Sequence, residues 1–525
     1  MECGFPVVSA IGGSFAVSAG CPQAAAAAMD CARAGGNLID AAIAGAAVQC
    51  VVMPEATSLG GDLFALLRHG GRIVAVNASG SAPQEATVEA FIGKGHRRIP
   101  ATGPLSVQTP GLVAGLACLH EQGASKPFAE LLEPAIAWAD FGCPVSARLA
   151  AALADAPDEH CSDSAWQMIF APEDERLREG EQLRQPALAR SLRGIARSGA
   201  EAFYAGEIAR DIANTLQRKD GLMGEADLAH VRAKIVPPLR VEFGRFQVFS
   251  QPPVSQGIVL LRALRLLRPL LGGAAVKSQS TLWQAAALSL RQAFAERLAL
   301  FGDDLAACDL AESMLREEQS LPRSSELAFA NPGSDTTTLS VVDAKGDAIA
   351  LIQSVYGDLG SCVITQDTGI LLNNRLSAFF LDESHPNGLR PGRSTMHTLH
   401  SFMVEDDQGL CWAGGTPGGD HQPQVNLQVL LRLLILEEDI EKALGAPRWT
   451  TTPGTQPSES GVSKSTLHYE SGVNEDVIHS LAACGWHVAE SFSSIGSSKM
   501  VGFRGRDRST GAWADRRRQG MADAY

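Results

Sequence analysis

The chain has 525 residues, of which 45% are hydrophobic and 19% are charged, so it can form a large globular core. Its formal net charge of −14 makes nucleic acids and anionic lipid surfaces unfavourable partners, because phosphate groups repel an acidic protein. The 11 cysteines form no CxxC pair, and no Cys/His spacing is typical of a zinc site. We therefore expect reduced thiols, no metal and no cofactor.

The N-terminal stretch "MECGFPVVSAIGG" has no basic region followed by an apolar core. The chain also contains no run of 18 apolar residues. These two observations predict that the protein has no secretory signal and no membrane span, and that it is cytoplasmic.

Predicted helices and strands mix along the chain without a repeat of fixed period. Small residues, Gly-Gly stops and apolar runs predict helices over 21–36, 35–56, from about Pro110 to 123, through much of 128–235, and over 257–271 and 423–438. Alternating apolar residues around turns predict strand pairs over 63–79, 241–253 and 397–415. Residues 453–465 read as a surface loop. Because no long linker divides the chain, we expect one α+β unit.

Residues 331–354, "NPGSDTTTLSVVDAKGDAIALIQS", place three threonines at the start of a predicted strand, with Gly346 in the turn of a hairpin. One interpretation is a β-prone segment without chemistry. The other is that the chain is cut here, so that one threonine becomes a new N-terminus. The α-amino group of that threonine, with an ordinary pKa of about 7.7–8.0, would then serve as the base that activates its hydroxyl.

Other common catalytic motifs are absent, because the chain has no G-x-S-x-G, no P-loop and no H-E-x-x-H. The stretch "GGTPGGDHQP" (414–423) puts glycines before a predicted helix. Their N–H groups could bind an oxyanion there, where the helix dipole favours negative charge. From these residues alone, a plain turn is the more common explanation of such a stretch.

Along nearly its whole length the chain resembles the γ-glutamyltranspeptidase family of N-terminal-nucleophile hydrolases. The matching stretches, in the family's order, include "GGNLIDAAIAGAAVQCVVMPEATSLGGDLFALL", "SVQTPGLVAGL", "QPPVSQG", "TTTLSVVDAKGDAIAL", "GILLNNRLSAF", "GGTPGG", "APRW" and "ADRRRQGMADAY". The resemblance implies a four-layer αββα sandwich and self-cleavage between Asp335 and Thr336. The cut would yield an α subunit (1–335) and a β subunit (336–525) that together form a heterodimer.

The same resemblance assigns roles to individual residues. Thr336 matches the nucleophile, and Ser354 stands where the family has a threonine that supports it. Gly418 and Gly419 match the glycines of the oxyanion hole. A Ser-Ser pair that lines the family's substrate pocket is matched by Ser394 and Thr395, and Thr338 replaces a histidine next to the nucleophile.

The chain departs from the family where a γ-glutamyl group would bind. The arginine and aspartate that hold the α-carboxylate and α-amino groups are replaced by Val88 and Ala378. A γ-glutamyl substrate would therefore bury unpaired charges, at a cost of several kcal/mol each by a rough estimate. Arg375 stands in place of a glutamine and Tyr356 in place of an asparagine, and a guanidinium suits a planar carboxylate.

These replacements predict a small substrate that carries one carboxylate and one amide. The chain resembles the family's oxamate amidohydrolase branch, which serves purine-ring breakdown, so oxamate is the expected substrate. Alternatives remain open: Arg375 in a structural ion pair, a γ-glutamyl hydrolase or transferase that uses Arg97 or Arg98, an acylase with an apolar pocket, or a non-catalytic scaffold that keeps the fold. No spacing in the sequence identifies oxamate itself.

Overall fold

The computed structural model describes residues 4–161, 163–271, 278–304, 306–317, 335–451, 466–491, 493–505 and 507–525. The surface loop predicted over 453–465 lies outside these ranges. In the described part of the chain, no helix is both long and apolar enough to cross a bilayer.

Strands occur throughout the chain and most of them belong to two large sheets. In chain order they are β1 Val7–Gly12, β2 Phe15–Ala19, β3 Asp62–His69, β4 Arg72–Ala78, β5 Cys143–Pro144, β6 Gln182–Leu183, β7 Lys234–Val236, β8 Leu239–Phe243, β9 Phe246–Ser250, β10 Asp335–Asp343, β11 Ala348–Tyr356, β12 Phe402–Asp406, β13 Gly409–Gly415, β14 Trp449–Thr451, β15 Thr466–Tyr469, β16 His487–Glu490, β17 Lys499–Arg504, β18 Ser509–Asp515 and β19 Met521–Ala524.

The first sheet has seven strands in the order β19-β2-β10-β11-β3-β4-β7, and all its pairings are antiparallel. The second sheet also has seven antiparallel strands, in the order β1-β18-β17-β13-β12-β9-β8. Smaller sheets join β14-β15-β16 and β5-β6. Each large sheet takes strands from both sides of the predicted cleavage site, so the two predicted subunits are interleaved.

Helices connect the strands and cover the two sheets. They are α1 Pro22–Arg33, α2 Leu38–Val52, α3 Val88–Gly93, α4 Leu112–Glu121, α5 Phe128–Phe141, α6 Ala147–Asp155, α7 Asp158–Cys161, α8 Ser164–Phe170, α9 Pro186–Ser198, α10 Glu201–Tyr204, α11 Glu207–Gln217, α12 Glu225–Ala229, α13 Gly257–Leu270, α14 Gln279–Leu300, α15 Ala307–Arg316, α16 His421–Leu434, α17 Ile440–Gly445 and α18 Glu475–Ala483, with short 3₁₀ turns at Pro104–Ser106 and Arg375–Ala378.

Three apolar cores show how these layers stack. One core joins α1, α2, α4, α5 and α9 to the outer face of the first sheet. Another joins α13, α14 and α16 to the outer face of the second sheet. Between the sheets lies a core rich in alanine, whose small side chains allow two sheets to pack closely. The structure is the four-layer αββα arrangement of an α+β protein, which confirms the predicted fold.

The β10–β11 hairpin shows why the threonine segment forms a central strand pair. Gly346 has a φ of +87° in the turn, a conformation that glycine adopts without strain. Leu339 and Leu351 face the helical core, whereas Val342 and Ala350 face the second sheet. This alternation is the period of two expected of a strand buried on both faces. The hairpin fixes the start of β10, where Thr336 lies, at the inner side of the sandwich.

Two predicted boundaries differ from the structure. Helix α16 begins at His421, before Pro423, because a proline in the first helical turn costs no intrahelical hydrogen bond. The predicted strand pair over 397–415 begins only at Phe402. His397 forms an isolated parallel bridge with Ser255, and residues 398–401 are irregular but buried. Side chains bind backbone groups of 398–401; the Ser401 N–H, for example, donates to Gln251 Oε1 at 2.7 Å.

Candidate active site

Thr336 lies at the start of β10 and is 1% exposed. Its hydroxyl donates a hydrogen bond to the Ser354 hydroxyl on the neighbouring strand β11 at 3.2 Å, and Ser354 Oγ also accepts the Tyr356 N–H at 2.8 Å. The strand register shifts between Asp335 and Thr337, and such an irregularity turns a side chain away from the regular alternation. The register shift and the hydrogen bond bring Thr336 and Ser354 together.

The other two threonines face different surroundings. The Thr337 hydroxyl accepts a hydrogen bond from Gln49 Nε2 at 3.0 Å and so faces helix α2. Thr338 faces the second sheet, where its methyl group lies 3.7 Å from the position that a Cβ on Gly415 would take. The Thr338 hydroxyl is buried and has no hydrogen-bond partner among the described residues.

In the loop after β13, the carbonyl oxygens of three successive residues each accept a hydrogen bond. The Pro417 carbonyl accepts the Thr416 hydroxyl at 3.2 Å, the Gly418 carbonyl accepts the His421 N–H at 2.9 Å, and the Gly419 carbonyl accepts Gln256 Nε2 at 2.8 Å. Ser497 N–H donates to Thr416 Oγ1 at 2.9 Å and so fixes that hydroxyl.

These contacts determine where the N–H groups of Gly418 and Gly419 point. In a planar trans peptide, the N–H points away from the carbonyl of the preceding residue. Gly418 and Gly419 have φ values of +121° and +54°, which side-chain-bearing residues rarely adopt. Within the described ranges, neither N–H donates a hydrogen bond. Two free donors therefore lie at the N-terminal end of α16, on the loop that leaves β13 close to Thr338.

Arg375 is fully buried and contacts Tyr356, the residue whose N–H donates to Ser354. Its guanidinium carbon lies 3.8 Å from the centre of the Tyr356 ring, a cation–π contact. Arg375 Nη1 donates to Thr398 Oγ1 at 3.2 Å, whereas Nη2 has no hydrogen-bond partner in the part of the chain that the structure describes. Burial lowers the pKa of Arg375 to about 10, so the group is a cation at neutral pH.

Tyr356 connects Arg375 to the threonine–serine pair through its backbone and its ring. Its φ is +85°, an uncommon value for an aromatic residue, and this conformation turns its N–H back to Ser354 while the ring stacks on Arg375. Burial raises the pKa of the Tyr356 phenol, so the group is neutral.

Asp62 and His397 form a buried pair that the sequence did not reveal. Asp62 Oδ2 accepts His397 Nε2–H at 3.0 Å and lies 3.8 Å from Arg375 Nε, without a hydrogen bond to it. His397 Nδ1 accepts the Leu399 N–H at 3.2 Å, which assigns the ring proton to Nε2. Burial, assisted by the charge of Arg375, lowers the pKa of His397 to about 4. The structural ion pair considered for Arg375 thus exists with Asp62, but it leaves Nη2 free.

A second buried arginine lies nearby and was also missed. Arg297 is 1% exposed and its Nη2 donates to the His397 carbonyl at 3.1 Å. Its Nη1 lies 3.7 Å from Asp420 Oδ1, at the start of α16. Burial lowers the pKa of Arg297. No spacing in the sequence relates this helical arginine to the glycine loop.

The remaining predicted residues divide into apolar, structural and exposed groups. Val88 is buried in an apolar cluster with Phe91 and Leu376, and Ala378 is also buried. Neither side chain can pair with a charged group of a substrate. Arg97 and Arg98 are exposed.

The predicted pocket residues Ser394 and Thr395 make structural contacts. The Thr395 hydroxyl donates to Asn387 Oδ1 at 3.0 Å, and the Ser394 N–H donates to Asp303 Oδ2 at 2.8 Å. The Thr395 hydroxyl thus donates its proton within the protein and keeps its acceptor lone pairs, so the role of Ser394 and Thr395 in binding substrate stays a prediction. Among the described residues, no group of three His, Cys, Asp or Glu side chains is arranged to bind a metal ion.

The chain is similar in sequence and in fold to several known proteins. The family model for gamma-glutamyltranspeptidase matches residues 24–525. The chain is similar to the oxamate amidohydrolase proenzyme of Klebsiella pneumoniae, with 33% identity over 79% of this chain and 81% of that protein. It is also similar to a glutathione hydrolase-like proenzyme of Bacillus subtilis, with 32% identity over 79% of this chain and 81% of that protein. The crystal structure of a cephalosporin acylase from Bacillus halodurans superposes with a TM-score of 0.86 and 30% identity, covering 99% of this chain and 97% of that one.

Proposed function

This chain belongs to the γ-glutamyltranspeptidase family of self-cleaving amidohydrolases, and we propose that it hydrolyses a small amide that carries a carboxylate, with oxamate as the substrate. The observation that carries the proposal is the buried Arg375 guanidinium, whose Nη2 is free of hydrogen bonds within the described residues. Three successive contacts, Arg375 to Tyr356, Tyr356 to Ser354 and Ser354 to Thr336, connect it to the proposed nucleophile and support a role in holding the substrate.

Self-cleavage at the Asp335–Thr336 bond is the first step of the proposed account. In the intact chain the Thr336 nitrogen belongs to a peptide bond, so its lone pair is delocalised and cannot act as a base. Cleavage turns it into an α-amino group with an ordinary pKa near 7.7–8.0, close to neutral pH. The products are an α subunit of residues 1–335 and a β subunit of residues 336–525, which stay together because the sheets interleave strands from both.

In the proposed reaction Thr336 supplies both the nucleophile, its hydroxyl, and the base, its α-amino group. The α-amino group takes the hydroxyl proton while Oγ1 attacks the amide carbon, and the N–H groups of Gly418 and Gly419 bind the resulting oxyanion. The C–N bond then breaks, the proton passes to the leaving nitrogen, and ammonia departs from an oxalyl-threonine ester. Water, deprotonated by the same amino group, attacks the ester, releases oxalate and restores the hydroxyl. Ser354 supports the Thr336 hydroxyl through the hydrogen bond at 3.2 Å.

Charge and size explain why a short carboxylated amide fits this site. Arg375 Nη2 has no hydrogen-bond partner among the described residues and can donate to a carboxylate, and such a charge-assisted hydrogen bond is stronger than a neutral one. The apolar cluster around Val88 leaves the charged α-amino and α-carboxyl groups of a γ-glutamyl substrate without the partners that burial requires. Oxamate has one carboxylate directly bonded to one amide and needs only the single cationic contact.

The test is ammonia release by the purified, cleaved protein from oxamate, oxalurate, glutamine and glutathione. The proposal predicts that oxamate gives the highest kcat/KM. Substitution of the exposed Arg97 or Arg98 by glutamine serves as a matched control and should leave that value unchanged. Faster turnover of glutathione, lost on substitution of Arg97 or Arg98, would instead support the γ-glutamyl alternative.

An acylase acting on larger acyl groups is the second candidate, favoured by the buried apolar cluster of Val88, Phe91 and Leu376 and by the similarity to the Bacillus halodurans cephalosporin acylase. A hydrophobic N-acyl-p-nitroanilide added to the substrate panel distinguishes it. Turnover of that compound above oxamate would favour the acylase, because an apolar acyl group gains nothing from Arg375.

A cytoplasmic location is also a proposal. None of the nine cysteines whose side chains the structure describes forms a disulfide, as is typical of a reducing compartment. Recovery of the protein from the culture medium or the periplasm of its host, rather than from the cytosol, would contradict this location.

A further inference from the structure

Gln256 occupies an unusual position between the two parts of the proposed site. It caps the N-terminal end of α13 and is fully buried. Its side-chain amide donates one hydrogen bond to the Thr398 carbonyl and another to the Gly419 carbonyl, the latter at 2.8 Å. Its backbone N–H donates to the His397 carbonyl at 3.0 Å.

The two carbonyls that accept hydrogen bonds from the Gln256 side chain belong to different parts of the proposed site. Thr398 is the residue whose hydroxyl accepts Arg375 Nη1 at 3.2 Å, so its segment positions the guanidinium. Gly419 belongs to the loop whose free N–H groups face the proposed oxyanion. The NH₂ group of Gln256 therefore connects the segment that binds Arg375 to the loop of Gly418 and Gly419, although Gln256 is 142 and 163 residues away from its two acceptors.

The orientation of the amide follows from these two acceptors. If the nitrogen and oxygen were exchanged, the amide oxygen would face two carbonyl oxygens and both hydrogen bonds would be lost. With the nitrogen on this side, both of its hydrogens are used. Because the NH₂ group is planar and small, the two carbonyl oxygens are held at a nearly fixed separation.

We propose that Gln256 is a positioning residue that fixes the distance between the Arg375 guanidinium and the oxyanion-binding N–H groups, and so selects the chain length of the substrate acid. The inference rests on the proposed function. In oxamate the carboxylate carbon is bonded directly to the amide carbon, so the guanidinium and the oxyanion donors must lie close together. Each methylene inserted between the two groups moves the carboxylate away from Arg375 when the amide carbonyl is in place.

The experiment compares Gln256→Met with the wild-type protein on the monoamides of oxalic, malonic and succinic acids. Methionine has a similar length and volume but donates no side-chain hydrogen bond, and it keeps the backbone N–H. The matched control is Gln428→Met in α16, because Gln428 is also buried and its amide also donates to two carbonyls, those of Gln424 and Trp449. The measurements are kcat and KM for each monoamide, the melting temperature, and the extent of self-cleavage.

We expect wild-type protein and Gln428→Met to prefer oxamate over succinamate by the same factor, of at least about tenfold, since one misplaced recognition group costs on that order. Gln256→Met should lower kcat for oxamate and reduce the preference to within about threefold. A general loss of stability would lower the melting temperature of both variants without changing the preference. An unchanged length preference in Gln256→Met would overturn the inference.

The outcome also separates the inference from the proposed function. If wild-type protein hydrolyses none of the three monoamides but does cleave γ-glutamyl-p-nitroanilide, the proposed substrate class is wrong. In that case kcat on the anilide decides the role of Gln256: a decrease in Gln256→Met but not in Gln428→Met supports its positioning of the oxyanion loop, and an unchanged kcat overturns that role too.

Discussion

Among the three threonines at the start of β10, Thr336 is distinguished by its hydrogen bond with Ser354 at 3.2 Å. We predict that Thr336→Ala stays a single chain of 525 residues and is inactive, because it lacks the hydroxyl that attacks. Thr336→Ser keeps the hydroxyl and the amine and should still cleave. Intact-mass measurement should give a 190-residue small subunit (525 − 335) that begins at Thr336.

Matched controls for this prediction lie next to it in the chain. Thr338→Ala removes a hydroxyl that has no hydrogen-bond partner among the described residues, so cleavage should continue. Thr337→Ala removes the hydroxyl's contacts with Gln49 and Met53, which do not involve Ser354, and should also be cut. A small subunit that begins at Thr337 or Thr338 would show that the nucleophile had been assigned to the wrong residue.

The residues that sequence reasoning identified and those that it missed differ in a physical way. Thr336, Ser354 and Arg375 stand in stretches that match a family pattern, so a position could be compared with a known role. Asp62 and His397 meet at 3.0 Å across 335 residues of chain, and Gln256 meets Gly419 across 163. Such contacts arise from the stacking of the sheets and leave no spacing in the sequence.

At the scale of elements, a threonine hydroxyl fixes the peptide orientation in the loop between β13 and α16. Thr416 Oγ1 donates to the Pro417 carbonyl and accepts the Ser497 N–H, and so directs the Gly418 N–H to the other side of the peptide. Thr416→Val should lower kcat by about tenfold or more, short of the roughly 10²–10³ that loss of an oxyanion donor costs. KM should change little, since the oxyanion forms only during reaction.

Thr416→Ser is the control for this loop, because it keeps the hydroxyl and should retain most of the activity. Steady-state kinetics of the two variants, with cleavage checked on a denaturing gel, provide the measurement. Equal kcat in Thr416→Val and wild-type protein would mean that the Gly418 N–H does not contribute to the reaction.

The elements themselves were largely predictable, because their signals are local. The Gly-Gly pair at 70–71 predicted the turn between β3 and β4, and the apolar run from Gly257 predicted α13. The alternation around Gly346 predicted β10 and β11. The stretch 398–401 does not form the predicted strand, since the side chains of Gln422 and Gln251, rather than a neighbouring strand, accept the N–H groups of His400 and Ser401.

At the scale of the whole molecule, two fully buried histidines predict how stability depends on pH. Burial lowers the pKa of His397 to about 4 and that of His400 to about 3. In the unfolded chain both have ordinary values near 6.5. Well above pH 6.5 both are neutral in either state and add no pH dependence. As the pH falls below 6.5 the unfolded chain binds protons that the native protein does not, so stability decreases until the folded pKa values are reached.

The expected slope between about pH 6 and 5 is up to about 1.4 kcal/mol per pH unit for each of these histidines. Urea unfolding of the inactive Thr336→Ala chain at pH 7, 6 and 5 measures it without interference from cleavage. His400→Gln, which does not titrate, should reduce the slope in that window. A midpoint that stays constant from pH 7 to 5 would contradict the buried, neutral state of both rings.

The central claim for the whole molecule is that one buried guanidinium makes a self-cleaving threonine amidohydrolase selective for a carboxylated amide. The most direct measurement is ammonia release from oxamate and from oxamide, in which a second amide replaces the carboxylate. We predict that wild-type protein strongly prefers oxamate and that Arg375→Gln, although still cleaved, loses roughly 2–5 kcal/mol of that preference through a higher KM. Arg375→Lys should recover only part of it, because an ammonium lacks the planar fork. Equal rates on the two compounds in wild-type protein, or a preference that survives in Arg375→Gln, would contradict the account.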